Sequence, residues 1–209
     1  RLGCKHVLIR ISELLTLIRF LGVIMNFKNT TTHYNTLSIA LHWLMFILIV
    51  TVYGSIELRE LFDKGTETRD AFKMWHFMLG LSVLALVSVR LVARIVGGAA
   101  PAIQPEPAKW QNKLATFVHI ALYVFMFAMP IAGWLILSLA GKPIPFFGLE
   151  LPALTAQNFE LAKSIKEIHE TAGEVGYYVI GLHAAAALFH HYVLADNTVS
   201  RMRLPKYYK

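Results

Sequence analysis

The sequence predicts an all-α integral membrane protein that folds as a four-helix bundle. Of its 209 residues, 56% are hydrophobic and 16% are charged, whereas a soluble domain carries about 25% charged residues. The apolar residues are also concentrated in four stretches, each close to the roughly 20 residues that a helix needs to cross a bilayer. A chain of this length accommodates one such bundle and little else.

The elements follow one another in a simple order. The predicted spans cover about 37–57, 74–96, 114–140 and 171–195. The Gly- and Pro-rich stretch 97–112 predicts a loop between the second and third spans. The stretch 141–168 begins with prolines and aromatic residues, which predict turns that pack on the membrane surface like a lid. Helix-permissive residues follow, so the last helix is expected to begin near Asn158.

Three regions are expected along the chain: an N-terminal extension (1–34), the four-helix transmembrane domain (35–200) and a basic tail (201–209). Within the extension, residues 7–24 are apolar with interspersed charges, which is typical of an interfacial amphipathic helix or of a vestigial leader. Polar residues follow Met25, so the biological chain could begin there. A genuine amphipathic anchor upstream of Met25 is the alternative.

The distribution of charge predicts the orientation in the membrane. Apart from residues 1–24, the stretch before the first span, the 97–113 loop and the C-terminal tail, with the flanking span ends, hold two acidic residues (Glu106 and Asp196) and nine basic ones (Lys28, Arg90, Arg94, Lys109, Lys113, Arg201, Arg203, Lys206 and Lys209). The stretches 57–73 and 141–170 hold seven basic and nine acidic residues. Because cytoplasmic loops collect Lys and Arg, both termini of the domain are expected in the cytoplasm. The formal charge of +7 therefore reflects membrane orientation, and nucleic acid is not expected as a partner.

Four histidines in the spans predict a cofactor site, because an ionisable residue inside a membrane is usually functional. His169 and His183 are fourteen residues apart, so they project from nearly one helix face with about 21 Å of rise between them. His76 begins the second span at the depth of His169, and His42 lies in the inner part of the first span, near the depth of His183. Two haems, each with two axial imidazoles, would fit this pattern and would suit electron transfer, since no coordination position stays open.

Neighbouring residues agree with this interpretation. Gly80 follows His76 by four residues, and Gly173 and Gly176 lie between the histidines of the fourth span, where glycine lets a flat macrocycle approach the backbone. Arg90 is fourteen residues after His76, so it could pair with haem propionates at the inner level, or it could simply snorkel to the cytoplasmic surface. Cys4 is the only cysteine, which excludes disulfides and covalent c-type haem attachment.

Three further histidines leave alternatives open. His119 or His190 could replace an assigned ligand, although His169 and His190 are separated by about 31 Å of rise, nearly a whole hydrocarbon core. With His191, they could instead hydrogen-bond and protonate a quinone near the inner haem, or be ordinary interfacial polar residues. A haem-free bundle, in which the histidines make interhelical hydrogen bonds, is an alternative from another functional class.

Several motifs resemble the bacterial cytochrome b561 family over about residues 35–205. They are SIALHWL, the HxxxG of the second span, VRLVARI, AMPIAGW, HETAGEVGYYVIGLHAAAALFHHY and DNTVSRM. The resemblance implies a four-helix bundle that binds two b-type haems between its helices. It assigns His42 and His183 to the iron of the inner haem, and His76 and His169 to that of the outer haem.

The resemblance is strongest to members that transfer electrons from superoxide to ubiquinone. It implies an oxidoreductase of the bacterial inner membrane, surrounded by lipid, that takes electrons at the outer face; it specifies no protein partner. Lys166, one turn before His169, and Arg59, just past the first span, are candidate catalytic residues that would attract the superoxide anion, or ordinary charges that flank a span. The alternative function is a membrane-anchor subunit that exchanges electrons between quinol and a soluble redox partner.

Overall fold

The computed structural model describes residues 27–203, which form four long helices. The helices are α1 (Thr36–Leu58), α2 (Glu67–Gly97), α3 (Lys109–Leu139) and α4 (Phe159–Tyr192). Short 3-10 turns lie at Arg59–Leu61 and Ser200–Met202, and the strands β1 (Pro145–Phe146) and β2 (Leu149–Glu150) form an antiparallel hairpin. All four helices are long and apolar enough to cross a membrane, which confirms the predicted fold class.

Residues 1–26 and 204–209 lie outside the described part of the chain. The predictions of an amphipathic segment, of a start at Met25 and of most of the basic tail fall on these residues. They stay predictions.

Side-chain caps define the starts of three helices. The Asn35 side chain accepts a hydrogen bond from the Ser38 amide at the start of α1, and Thr66 caps α2 through the Arg69 amide. The Asn158 side chain accepts from the Leu161 amide at 3.0 Å, so α4 begins where the sequence predicts it. Such caps satisfy backbone donors that have no partner within the helix.

Consecutive helices pack against each other, α1 on α2, α2 on α3 and α3 on α4. One buried apolar cluster joins Met45, Val83, Val87 and Met126 near the middle of the bundle. Large apolar side chains cover much of the remaining helix surface, including Ile95, which is 72% exposed. This outward apolar surface suits helices that contact lipid.

The two ends of the bundle differ in what closes them. At one end, which we call the terminal end, both ends of the described chain meet. There the Tyr34 amide donates to the Arg201 carbonyl, and Trp43 Nε1 donates to the Met202 carbonyl. The hairpin end is covered by residues 140–158, in which Ile144 is buried against Leu81 and Leu137. The predicted turns after α3 are therefore present, and they pack against the helix ends.

Candidate functional site

His76 of α2 and His169 of α4 face each other near the hairpin end, and we call them the hairpin-side pair. Their ring centroids are 6.4 Å apart and their ring planes meet at 84°. Two imidazoles that bind one metal from opposite sides, through bonds of about 2 Å, have centroids about 6 Å apart. The separation therefore fits the two axial ligands of one iron.

The polar surroundings prepare this pair for a metal. His76 Nδ1 lies 3.1 Å from the Val52 carbonyl oxygen of α1. A carbonyl can only accept, so Nδ1 carries the proton and the Nε2 lone pair stays free for a metal, as is usual for metal-binding histidines. His169 Nδ1 is buried and makes no well-aligned hydrogen bond, but the Met129 backbone of α3 interacts with this imidazole as an acceptor.

His42 of α1 and His183 of α4 form a second pair toward the terminal end, which we call the terminus-side pair. Their ring centroids are 6.5 Å apart, with ring planes at 72°. His119 of α3 lies closer to His183, at 5.3 Å between centroids, which is too short for two ligands on opposite sides of one iron. The geometry therefore favours His42 over His119 as the partner of His183.

Arg90 of α2 reaches the terminus-side pair, at the level that the sequence predicts. Its Nη2 lies 2.9 Å from His42 Nδ1, and its guanidinium lies 5.8 Å from the centroid of the Tyr123 ring. A guanidinium can only donate, so His42 Nδ1 accepts and the proton of the neutral ring is on Nε2. A metal at Nε2 requires this proton to leave or to move, and Arg90 would then turn to another acceptor.

Comparison with known proteins decides the family. The sequence profile of the prokaryotic cytochrome b561 family matches residues 33–204. This chain belongs to the prokaryotic cytochrome b561 family. It is therefore a membrane electron-transfer protein with b-type haem.

Individual relatives agree with the family profile. Cytochrome b561 homolog 1 of Escherichia coli K12 is 37% identical over 169 residues, which cover 81% of this chain and 96% of that protein. The probable superoxide oxidase CybB of Yersinia pestis is 39% identical over 173 residues, covering 83% and 96%. Cytochrome b561 homolog 2 of Escherichia coli K12 is 29% identical over 186 residues, covering 85% and 95%.

The cytochrome has residues that fit b-type haem, because each of the two facing histidine pairs can supply both axial ligands. The space at Gly80 agrees with this, since a Cβ added there would have nothing within 4 Å. Gly176 differs from the prediction. A Cβ there would collide with the Tyr53 hydroxyl and the Phe125 ring, so this glycine admits two side chains and not a macrocycle.

His190 and His191, at the end of α4, contact the segment that follows the helix. His190 Nδ1 lies 2.6 Å from a carboxylate oxygen of Asp196, whose side chain is 3% exposed, and His191 Nδ1 lies 3.4 Å from the Asp196 carbonyl. Burial alone would raise the pKa of Asp196, but hydrogen bonds from Thr198 and His190 outweigh it and hold that pKa below its usual value. The terminal end of the cytochrome thus contains a buried carboxylate paired with an imidazole.

The two candidate catalytic residues lie at the hairpin end, and each is paired with a carboxylate. Lys166 Nζ donates to Glu170 at 2.6 Å, with both side chains more than half exposed. Arg59 pairs with Glu60, which also accepts from Arg69 at 2.9 Å. Exposed pairs such as these are weak, so they reduce the positive charge without removing it.

Lys73 and Lys142 are cations at the hairpin end that the sequence reasoning missed. Lys73 interacts electrostatically with Lys142, Arg59 and Lys166, so these cations share one region of the cytochrome. Lys73 lies three residues before His76, just as Lys166 lies three residues before His169. That repeated spacing is the signal that could have identified Lys73, whereas nothing local in the sequence points to Lys142.

Proposed function

We propose that this cytochrome binds two b-type haems and acts as a superoxide oxidase, with superoxide as electron donor and ubiquinone as acceptor. The single observation that carries the proposal is the presence of two facing histidine pairs at different depths, with centroid separations of 6.4 and 6.5 Å. A second support is the 39% identity to a relative named as a probable superoxide oxidase.

The ligands would be divided between the two pairs. His76 and His169 would hold the iron of one haem, His42 and His183 that of the other, and Arg90 would serve the terminus-side haem by pairing with its propionates. When bound, the haems supply two one-electron redox centres without an open coordination position. The helices would hold the two haems at fixed depths, and the imidazole ligands would orient each haem and tune its reduction potential.

The hairpin end is the proposed entry for superoxide. Lys73, Lys142, Arg59 and Lys166 gather there, and a cluster of cations raises the local concentration of a small anion. Two superoxide anions each lose one electron and become dioxygen. One ubiquinone takes up these two electrons with two protons and becomes ubiquinol.

The terminal end is the proposed location of ubiquinone reduction. His119 lies beside His183, and the His190–Asp196 pair is buried in the same half of the protein. Imidazoles can donate hydrogen bonds to a quinone carbonyl and can pass protons to it. The excess of basic residues at this end supports a cytoplasmic location for it, in the inner membrane of a bacterium.

Stopped-flow spectroscopy of the purified chain tests the function. We expect two b-type haems per chain, rapid reduction by superoxide, and reoxidation when ubiquinone is added. Reduction no faster than that of a haem protein without the basic cluster would refute the superoxide assignment. Reduction by quinol alone, with turnover only after a soluble redox protein is added, would favour the membrane-anchor function. If the purified chain showed no b-type haem absorption, both the superoxide oxidase function and the membrane-anchor function would be refuted.

A further inference from the structure

Two consecutive residues of α1 hold the two helices that carry the hairpin-side pair. The Val52 carbonyl accepts the hydrogen bond from His76 of α2 at 3.1 Å. The Tyr53 hydroxyl donates to the Gly173 carbonyl of α4 at 2.8 Å, and Gly173 lies one helical turn after His169. At this depth, α2 and α4 are therefore both hydrogen-bonded to the same short stretch of α1, which fixes their orientation relative to each other.

A second hydrogen bond joins α1 and α4, and in this one the donor is on α4 and the acceptor on α1. The Tyr177 hydroxyl donates to Glu57 at 2.7 Å, and the Tyr53 and Tyr177 rings lie 4.3 Å apart between centroids. Tyr53 and Glu57 are one turn apart on α1, and Gly173 and Tyr177 are one turn apart on α4. We call these four residues the α1–α4 clasp.

Gly176 allows the clasp to close. It is buried, and a side chain there would meet the Tyr53 hydroxyl and the Phe125 ring. Because the glycine has no side chain, the Tyr53 ring lies directly against the α4 backbone. The absence of a side chain at Gly176 thus gives the Tyr53 hydroxyl access to the Gly173 carbonyl.

We infer that Tyr53 is a positioning residue for the hairpin-side pair, where it fixes the angle between the His76 and His169 rings. The inference rests on the proposed role of that pair as haem ligands. Hydrogen bonding around axial ligands, and their orientation, tune the potential and the spectrum of a haem iron. His42 lies eleven residues from Tyr53, about 16 Å along α1, so the terminus-side pair should be insensitive to the clasp.

Electron paramagnetic resonance of the oxidised holoprotein, with a redox titration, tests the inference. Tyr53→Phe keeps the ring and removes the bond to Gly173. We expect one of two low-spin signals and one of two midpoint potentials to shift, and His169→Ala identifies which signal belongs to the hairpin-side haem. Tyr178→Phe is the matched control, since Tyr178 is 74% exposed, and it should change neither signal.

Variants of the second hydrogen bond keep the test decisive if Tyr53→Phe does not fold. Glu57→Gln retains an acceptor for Tyr177 and should match the wild type, whereas Glu57→Leu should shift the hairpin-side signal in part. The inference is overturned if the clasp variants carry both haems with unchanged signals, or if the terminus-side signal is the one that moves. Loss of all haem from the wild-type chain would instead contradict the proposed function.

Discussion

The hairpin-side and terminus-side pairs have almost the same separation but opposite hydrogen bonding. Their ring centroids are 6.4 and 6.5 Å apart, yet His76 donates to the Val52 carbonyl, whereas His42 accepts from Arg90. The first arrangement leaves Nε2 ready for a metal, and the second places the proton there. The two pairs thus have equal spacing but different protonation, and the terminus-side pair would have to rearrange to bind the iron of the proposed haem.

The charged groups around the two histidine pairs also differ. The hairpin-side pair lies near a surface where cations and carboxylates are mixed and largely exposed, as Lys166 and Glu170 are. The terminus-side pair lies near Arg90 and Arg94, both about 6 Å from the Tyr123 ring, with His119 beside it. One site suits contact with a dissolved anion, and the other offers several proton-carrying groups inside the protein.

The largest expected effect is the loss of one haem. His169→Ala should abolish the hairpin-side haem and leave the terminus-side haem, because only the first pair loses a ligand. The pyridine haemochrome of the purified variant should fall to half of the wild-type value. Loss of both haems from a variant that retains its helical circular dichroism would contradict the pairing and the independence of the two sites.

Arg90 should matter to the terminus-side site alone. Arg90→Leu removes the proposed charge-assisted pairing with the haem propionates, worth about 1.5–3 kcal/mol, so retention of that haem should weaken about tenfold or more. Haem transfer to apomyoglobin measures this retention. Arg94→Leu is the control, since Arg94 shares the Tyr123 ring and makes no contact with His42 in the described structure. Equal effects of both substitutions would mean that positive charge near the Tyr123 ring, and not a propionate contact specific to Arg90, retains the haem.

Charge changes at the hairpin end should alter the rate of reduction by superoxide. Lys73→Gln should slow it about two- to threefold at low salt, with a smaller effect at high salt, because screening weakens steering. Glu170→Gln should raise the rate, since it frees Lys166. Stopped-flow traces at two ionic strengths measure both effects. Lys113→Gln, at the terminal end, is the control, and a change there as large as for Lys73 would argue against steering.

The smallest effect concerns pH and the terminal end. The pKa of Asp196 is held below its usual value by Thr198 and His190, so its carboxylate stabilises the fold above the ordinary pKa of about 4. That contribution is lost as the pH falls through the lowered pKa of the folded state. Asp196→Asn should lower Tm by about 2–4 °C at neutral pH and by little in acid. A constant difference at every pH would reject an electrostatic origin.

Much of the fold could be predicted because lipid leaves few choices. A long apolar stretch in a bilayer must be helical to satisfy its own backbone, so four such stretches predict four helices. The start of α4 at Asn158 followed from local capping chemistry. The depths of His42, His76, His169 and His183 followed from the fixed rise per residue of a helix.

Two parts of the site could not be predicted in this way. Arg90 contacts His42, and Gly176 accommodates Tyr53 and Phe125. Each depends on how one helix is rotated against another. The pair of Lys166 with Glu170 is different, because residues four apart on one helix are neighbours and the sequence alone could have indicated it. Helical rise gives a residue its height in the membrane, and so the sequence determined which histidines share a level. Only packing gives the direction across the bundle, and so the tertiary structure decided what each imidazole touches.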